Sequence, residues 1–183
     1  MNLTLADYQE INLRQGLNVF GLAEQLGVTE DVIEKTKAER NALFRDRIAE
    51  GVEMIDGVRE TLEALHGHLP MAVVTSSWPE NLNAMHRDHG LEHYFETVVA
   101  GGATPHFKPH PAPYLLAAER LKVRPDRCLV VEDSERGLQA AVRAGMRCAV
   151  VPNELTRVGD FSEAYRVLKN VREVVPLVFA DAS

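Results

Sequence analysis

Short apolar runs separated by polar connectors predict the strands of a sheet from residue 71 onward. Residues 71–74 and 128–131 are continuous apolar runs, which is typical of strands buried on both faces in a parallel sheet. Runs at residues 97–100, 146–151 and 167–168 predict three further strands. Each run is followed by polar, glycine or proline residues, so we expect short strands.

Helix-like spacing of apolar residues fills the segments between these strands. The spacing predicts helices over residues 58–66, 80–89 and 112–121, a fourth over 138–145, and a last one at the C-terminus. Strands that alternate with helices favour a parallel sheet covered on both faces. We therefore expect an α/β fold with a doubly wound, Rossmann-like parallel sheet.

The N-terminal part of the chain has helical periodicity and no strand-like run. Gly27 is expected to end one helix, and Thr29 is expected to cap the next. These patterns predict a helical domain over residues 1–50 and an α/β domain over residues 51–183.

The amino-acid composition argues against several classes of binding partner and cellular location. The chain has 20 Lys and Arg against 27 Asp and Glu, a net charge of −7, which argues against non-specific binding to nucleic acid or anionic membranes. No apolar run approaches the ~20 residues of a membrane span, and the N-terminus lacks a signal-peptide pattern. Cys128 and Cys148 form no CxxC motif, and we interpret them as reduced core thiols of a cytoplasmic protein. The oligomeric state stays open.

Candidate chemistry lies where the predicted strands end, because ligands of open α/β sheets bind beyond the carboxyl ends of the strands. Thr75 follows the first strand and offers a hydroxyl for a phosphate, although a threonine there also suits a helix cap. Lys108 lies in a proline-stiffened loop, where it either neutralises a phosphoryl group or is solvated. Glu132 and Asp133 offer the oxygen ligands that suit Mg²⁺, and the alternative is that Asp133 only caps the next helix.

These segments resemble motifs of a known family. Residues 74–77 (Val-Thr-Ser-Ser), 108–111 (Lys-Pro-His-Pro) and 130–134 (Val-Val-Glu-Asp-Ser) are similar to motifs II, III and IV of the haloacid dehalogenase superfamily. Within it, the match is to the helical-cap phosphatases, the phosphoglycolate phosphatase and β-phosphoglucomutase-like group. The resemblance covers about residues 55–175 and, more loosely, the helical segment before them, which it identifies as a cap.

The resemblance implies a reaction and a role for each matching residue. The implied reaction is Mg²⁺-dependent hydrolysis of a small phosphomonoester through an aspartyl-phosphate. Thr75 and Ser76 would bind the phosphate, and Lys108 would steady it and the nucleophile. Asp133 with Glu132 would hold Mg²⁺.

The sequence departs from this family in one large respect. Motif I, a strand ending in Asp-x-Asp-Gly that carries the nucleophile, should precede the cap, and this sequence has no such strand. Asp56-Gly57 superficially resembles it, but it leads straight into a helix, and we interpret Asp56 as an N-cap. Ala112 also replaces the aspartate usual after the lysine motif.

Two consequences follow from the missing motif. Without the nucleophile, Thr75, Lys108 and Asp133 can bind phosphate but cannot form the phosphoaspartate. The missing strand also belongs between the strands that end at Thr75 and Glu132, which leaves two unpaired edges. We favour a truncated sequence over a pseudoenzyme or over a gap filled by another segment.

The predicted function is therefore a phosphatase acting on a small phosphorylated metabolite, in a chain that is truncated or inactive. The alternatives are a non-catalytic phosphate- or partner-binding pseudophosphatase and a phosphomutase. A receiver-like signalling domain is disfavoured because the acidic pair follows Lys108 in the chain, whereas a receiver's acidic residues come first.

Two further features of the sequence each have two possible interpretations. Residues 34–47 are densely charged, which is typical of a solvated helix face, but Lys37, Arg40 and Arg45 are also candidates for substrate selection from a cap. Trp78, followed by Pro79, either lines the pocket or caps the next helix.

Overall fold

A computed structural model describes residues 4, 7, 9–14, 19–86 and 89–180. The chain divides into two compact units, Met1–Val52 and Glu53–Ser183. The division falls close to the boundary expected after residue 50. That the first unit acts as a cap stays a prediction.

The first unit is helical in the described residues. A π-helical segment, Gln9–Arg14, precedes α1 (Val19–Gln25) and α2 (Glu30–Ala49). The break at Gly27 and the new start after Thr29 occur as expected. Thr29 caps α2 without a side-chain bond; its backbone carbonyl accepts from the first-turn amides instead.

The charged face of α2 is largely exposed. Lys37 pairs with Glu34 at 2.6 Å within the helix, and Arg47 pairs with the C-cap residue Glu50 at 2.9 Å. Exposed pairs of this kind contribute little to stability. The pattern agrees with a solvated helix face.

The second unit alternates helices and strands as the apolar pattern predicts. Its helices are α3 (Val58–Leu65), α4 (Pro79–His86), α5 (Ala112–Leu121), α6 (Glu135–Arg143) and α7 (Val174–Ala180). Its strands are β1 (Ala72–Val74), β2 (Thr97–Val99), β3 (Leu129–Glu132), β4 (Arg147–Val150) and β5 (Arg166–Val167). Short 3₁₀ turns lie at Glu92–Tyr94, Pro125–Arg127 and Val171–Glu173.

All strand pairings in the described residues are parallel and form two separate sheets. β1 pairs with β2, and β4 lies between β3 and β5. Over the described parts of the chain no ladder joins β1 to β3. Each of β1 and β3 thus has one edge without a ladder among the described residues, and a missing strand between them stays a prediction.

Helices cover both faces of the strands. α5 packs on β1 and β2, α6 packs on β3 and β4, and α3 packs against α7. Along β4, Cys148 and Val150 enter one apolar cluster while Ala149 enters the other, and all three are essentially inaccessible to water. Burying a side chain such as Val150 contributes roughly 1.5–3 kcal/mol. Both cysteines are free thiols, Cys148 in the core and Cys128 half-buried.

The interpretation of Asp56 as an N-cap is wrong. Gly57 occupies the N-cap position of α3 with φ 85°, and the helix start has no side-chain cap bond. Asp56 instead accepts two hydrogen bonds from Arg172, at 2.6 and 2.8 Å. These bonds and the charge of Arg172 hold the pKa of the Asp56 carboxyl below its usual range. The reason is tertiary: a guanidinium 116 residues away satisfies both oxygens of the carboxylate.

Other differences concern element ends. The helix expected over 80–89 begins at Pro79 and is described as far as His86, and the one expected over 138–145 begins earlier, at Glu135. Among the described helices, none is both long and apolar enough to cross a membrane.

Candidate active site

A buried ion pair joins the ends of β1 and β3. The Lys108 ammonium contacts Glu132 Oε1 directly and donates to the Val74 carbonyl over 3.0 Å. The two charged side chains are only 12% and 8% exposed. A buried pair is tolerated when further hydrogen bonds satisfy the charges, and both partners here have them. Lys108 therefore links the ends of one strand from each of the two sheets.

Tyr114, in the first turn of α5, completes this arrangement. Its hydroxyl donates to the same Glu132 oxygen, and the Lys108 nitrogen lies 4.9 Å from its ring centroid. Burial, and then the charge of Glu132, raises the Tyr114 pKa far above its usual range, so the phenol stays a neutral donor. Sequence reasoning did not assign Tyr114 a role. The available signal was an aromatic residue at a helix start directly after the lysine loop.

The second Glu132 oxygen faces the start of α6. It accepts from the Ser134 hydroxyl at 3.1 Å and from the Asp133 amide at 3.3 Å. Ser134 also caps α6 by accepting from the Gly137 amide at 3.2 Å. A β-carbon on Gly137 would lie 2.0 Å from the Glu132 carboxyl carbon, so the carboxylate rests directly on the helix backbone. Protein donors thus engage both oxygens of Glu132, and its role as a metal ligand stays a prediction.

Asp133 points its carboxylate to a different partner. One oxygen accepts from the Asn153 side-chain amide at 2.9 Å. Partial desolvation, and then the charge of Glu132, raises the pKa of the Asp133 carboxyl. Backbone amides of Leu155 and Thr156 fix the Asn153 side chain by donating to its oxygen at 2.8 and 3.1 Å. The sequence analysis assigned Asn153 no role, although a polar residue just beyond a strand end is a signal that could have found it.

Thr75 lies directly after β1. Its amide extends the ladder to the Val99 carbonyl at 2.9 Å, and its hydroxyl accepts from the Ser77 amide at 3.1 Å. Since α4 begins only at Pro79, Thr75 is not the cap of that helix. The hydroxyl proton can still be donated to an anion, and the neighbouring Ser76 is exposed.

Of the expected site residues, Lys108 and Glu132 are in direct contact, and Thr75 and Asp133 are next in the chain to the groups that Lys108 contacts. Lys108 contacts the last carbonyl before Thr75 on one side and the carboxylate before Asp133 on the other. Two arginines of α6 hold the lysine loop: Arg136 donates to the Lys108 carbonyl at 2.6 Å, and Arg143 donates to the Pro109 carbonyl at 2.9 Å. Sequence reasoning missed both arginines.

The family of the chain is identified by a match to a family model. The model of the haloacid dehalogenase-like hydrolase family matches residues 2–151. The chain belongs to this family. Its resemblance to the haloacid dehalogenase superfamily is thereby confirmed.

Relatives and solved structures of the haloacid dehalogenase-like hydrolases agree with this assignment. The chain is 42% identical over 113 residues to the fructose-1-phosphate phosphatase YqaB of Escherichia coli, covering 62% of this chain and 57% of that protein. It is 34% identical over 154 residues to the protein CbbY of Cereibacter sphaeroides, covering 81% and 66%. A mutant of CbbY from Rhodobacter sphaeroides, crystallised with xylulose-(1,5)-bisphosphate, superposes with a TM-score of 0.76 at 28% identity, covering 94% and 81%. The chain thus spans less than two thirds of the length of the first two relatives.

The Mg²⁺ that this family generally uses can be tested against the residues present. In the described segments no three His, Cys, Asp or Glu side chains form a metal-binding group. Mg²⁺ needs only one or two protein carboxylates when water and a phosphate supply the other ligands. Asp133 offers such a carboxylate, so the donors fit a Mg²⁺ ion shared with a bound phosphate.

The helix α2 cations make contacts within the first unit. Lys37 and Arg40 lie over the Phe20 ring, with their charged groups 5.6 and 5.0 Å from its centroid. Arg45 is exposed. A role for these three in substrate selection stays a prediction.

Proposed function

We propose that this chain forms the phosphate- and metal-binding part of a phosphatase that acts on a small phosphorylated metabolite, a sugar phosphate in particular. The observation that carries the proposal is the Lys108 ammonium, held in a buried position between the end of β1 and Glu132. The sugar is suggested by relatives named as a fructose-1-phosphate phosphatase or crystallised with a ketose bisphosphate.

Each residue has a role in this proposal. Thr75 and Ser76 donate hydrogen bonds to the phosphate, and Lys108 neutralises its charge. Asp133 ligates Mg²⁺, which supplies further positive charge when bound. Glu132 positions Lys108 instead of binding substrate, because its oxygens accept from Lys108, Tyr114 and Ser134.

The nucleophile is the part that the matching residues do not supply. In the implied reaction an aspartate oxygen attacks phosphorus, the ester oxygen leaves and is protonated to the alcohol, and water then cleaves the acyl phosphate. We propose that a strand carrying this aspartate belongs between β1 and β3, and that this 183-residue chain binds phosphate esters without turning them over. The supporting observation is that β1 and β3 share no ladder among the described residues.

A non-catalytic phosphate-binding role is the second candidate. It is favoured by the same observation, since an intact Lys108–Glu132–Tyr114 arrangement without a nucleophile can bind but not react. A phosphomutase would use the same groups and differs only in the fate of the phosphoryl group.

Calorimetric titration with inorganic phosphate in the presence of Mg²⁺ tests the site. We expect Thr75→Val, which removes one hydroxyl and keeps the shape, to weaken phosphate binding at least about fivefold, as loss of a hydrogen bond to a charged group predicts. Thr36→Val, on the exposed face of α2, is the matched control and should bind as the parent does. Equal affinities for all three proteins would contradict the assignment of Thr75.

Phosphate release from a hexose phosphate tests the nucleophile. The 183-residue chain should release none, and a version extended at its N-terminus by a strand ending in Asp-x-Asp-Gly should release phosphate. Release by both proteins would refute the missing nucleophile. If Asp133→Ala in the extended version leaves phosphate release unchanged, the assignment of Asp133 to Mg²⁺ is refuted.

A further inference from the structure

Two exposed aromatic side chains meet in the second unit. The rings of Trp78 and Phe107 pack edge to face, with centroids 6.4 Å apart and planes at 66°. Trp78 is 55% exposed and Phe107 is 45% exposed. Large apolar rings held together at a surface are a common feature of binding sites, since a ligand removes them from water.

Both residues belong to the loops that carry the phosphate-binding groups. Trp78 follows Thr75 by three residues, and Phe107 directly precedes Lys108. The Gly101 amide donates to the Ser77 carbonyl at 2.8 Å, which ties the two loops together. The aromatic pair is therefore carried by the same two loops as the groups that would hold the phosphate.

The position of the pair is held by packing. A β-carbon on Gly102 would lie 2.7 Å from the Trp78 ring, so the indole rests directly on the backbone of the second loop. The Phe107 carbonyl accepts from the His110 amide at 3.0 Å, and the His110 ring lies 4.4 Å from that of His106. The rings are thus presented by two loops that contact each other, which favours a preformed surface.

We propose that Trp78 and Phe107 form a platform for the alcohol part of the phosphate ester, and that the C–H face of a sugar ring packs on it. The inference rests on the proposed function, because the phosphate must first bind at Thr75 and Lys108. It adds the residues that select a ring-bearing ester over a small acyclic one. The platform excludes water from one face of the sugar, whereas inorganic phosphate does not reach it.

Intrinsic fluorescence reports on this platform directly, because Trp78 is the single tryptophan of the chain. A pyranose phosphate such as glucose 6-phosphate should shift its emission to shorter wavelength, since the ring loses contact with water. Inorganic phosphate should bind, by calorimetry, without that shift. Glycerol 3-phosphate, which lacks a ring, should give less than half of the shift at saturation.

Variants separate recognition from folding. Phe107→Ala should weaken glucose 6-phosphate binding about five- to tenfold while changing the affinity for inorganic phosphate less than twofold, and Phe107→Leu should lie between. Phe179→Ala removes a similarly exposed ring from α7, 41% exposed, and should change neither affinity. Circular dichroism and urea midpoints establish that each variant folds.

The outcomes distinguish this inference from the function on which it rests. If glucose 6-phosphate binds and Thr75→Val weakens it while Trp78 emission stays unchanged, the platform is refuted and the phosphate site stands. An equal loss for sugar phosphate and inorganic phosphate in Phe107→Ala also refutes it. Failure of every phosphate compound to bind would refute the proposed function and the platform together.

Discussion

Substituting Gly137 by alanine tests the centre of the site, the contact between Glu132 and the first turn of α6. An added β-carbon would lie 2.0 Å from the Glu132 carboxyl carbon and 2.0 and 2.4 Å from its two oxygens. Separations this short require the carboxylate or the helix to move. The Glu132 side chain is packed among Lys108, Tyr114 and Ser134, so its displacement breaks several contacts at once.

Two effects of opposite sign compete in Gly137→Ala. Alanine is the better helix former, and within a helix this exchange alone stabilises by about 1 kcal/mol. Separating a buried ion pair costs about 3–5 kcal/mol, because it leaves uncompensated charge. The second effect should prevail, and we expect the free energy of unfolding to fall by about 2–4 kcal/mol.

Urea unfolding of Gly137→Ala and the parent measures this difference. A double-mutant cycle with Glu132→Asp, which withdraws the carboxylate by one methylene, should show a coupling of at least about 1 kcal/mol between the two positions. The reasoning is refuted if Gly137→Ala is as stable as the parent or more stable. Additive effects in the cycle would mean that the destabilisation arises elsewhere in the helix.

Three other predictions follow from the same geometry. Tyr114→Phe removes a buried hydrogen-bond donor from the Glu132 carboxylate, and urea titrations should show a free energy of unfolding lower by about 1–3 kcal/mol. The control Tyr94→Phe breaks a 3.4 Å hydrogen bond to Glu63 and should lower it less than half as much. Burial raises the pKa of Cys148 from 9.0 to about 12, so the folded state keeps a proton that the unfolded chain releases. Stability should therefore fall as the pH rises from 9.0 towards 12, and Cys148→Ala should reduce that fall. Adding Mg²⁺ to protein saturated with phosphate should raise the thermal midpoint of the parent further and should leave that of Asp133→Asn where phosphate alone sets it.

Each of these predictions has a result that contradicts it. Equal losses in the two tyrosine variants would remove the special role of Tyr114. An unchanged pH dependence in Cys148→Ala would mean that another group titrates. A Mg²⁺-dependent rise that persists in Asp133→Asn would place the metal at other ligands.

The strands and helices of the second unit were predictable because they follow from local patterns. A continuous apolar run such as residues 71–74 is typical of a strand covered on both faces, and the observed β1 begins one residue later. The helix over residues 112–121 matches its prediction at both ends. Element ends that depend on neighbours were displaced by a few residues, as at the start of α6, which lies at Glu135 and not at residue 138.

The order of Thr75, Lys108 and the acidic pair along the chain also indicated the edge where a site should lie, since strand ends in a parallel sheet share one edge. The sequence could not predict which of the two adjacent carboxylates contacts Lys108 and which takes another partner. Glu132 and Asp133 are adjacent and chemically alike, yet one is buried against Lys108 and the other bonds to Asn153. Alternate side chains of a strand point to opposite faces, and only the packed structure decides what each face contains.

The sequence by itself therefore determined the fold class, the family resemblance and the edge of the sheet that carries the chemistry, because apolar periodicity and strand-end residues are local properties. Only the tertiary structure decided the partners of Glu132, the arginines that hold the lysine loop and the use of Asp56, since those contacts join residues far apart in the chain. Buried charges take whichever donors folding brings within reach, and no spacing in the sequence encodes that choice.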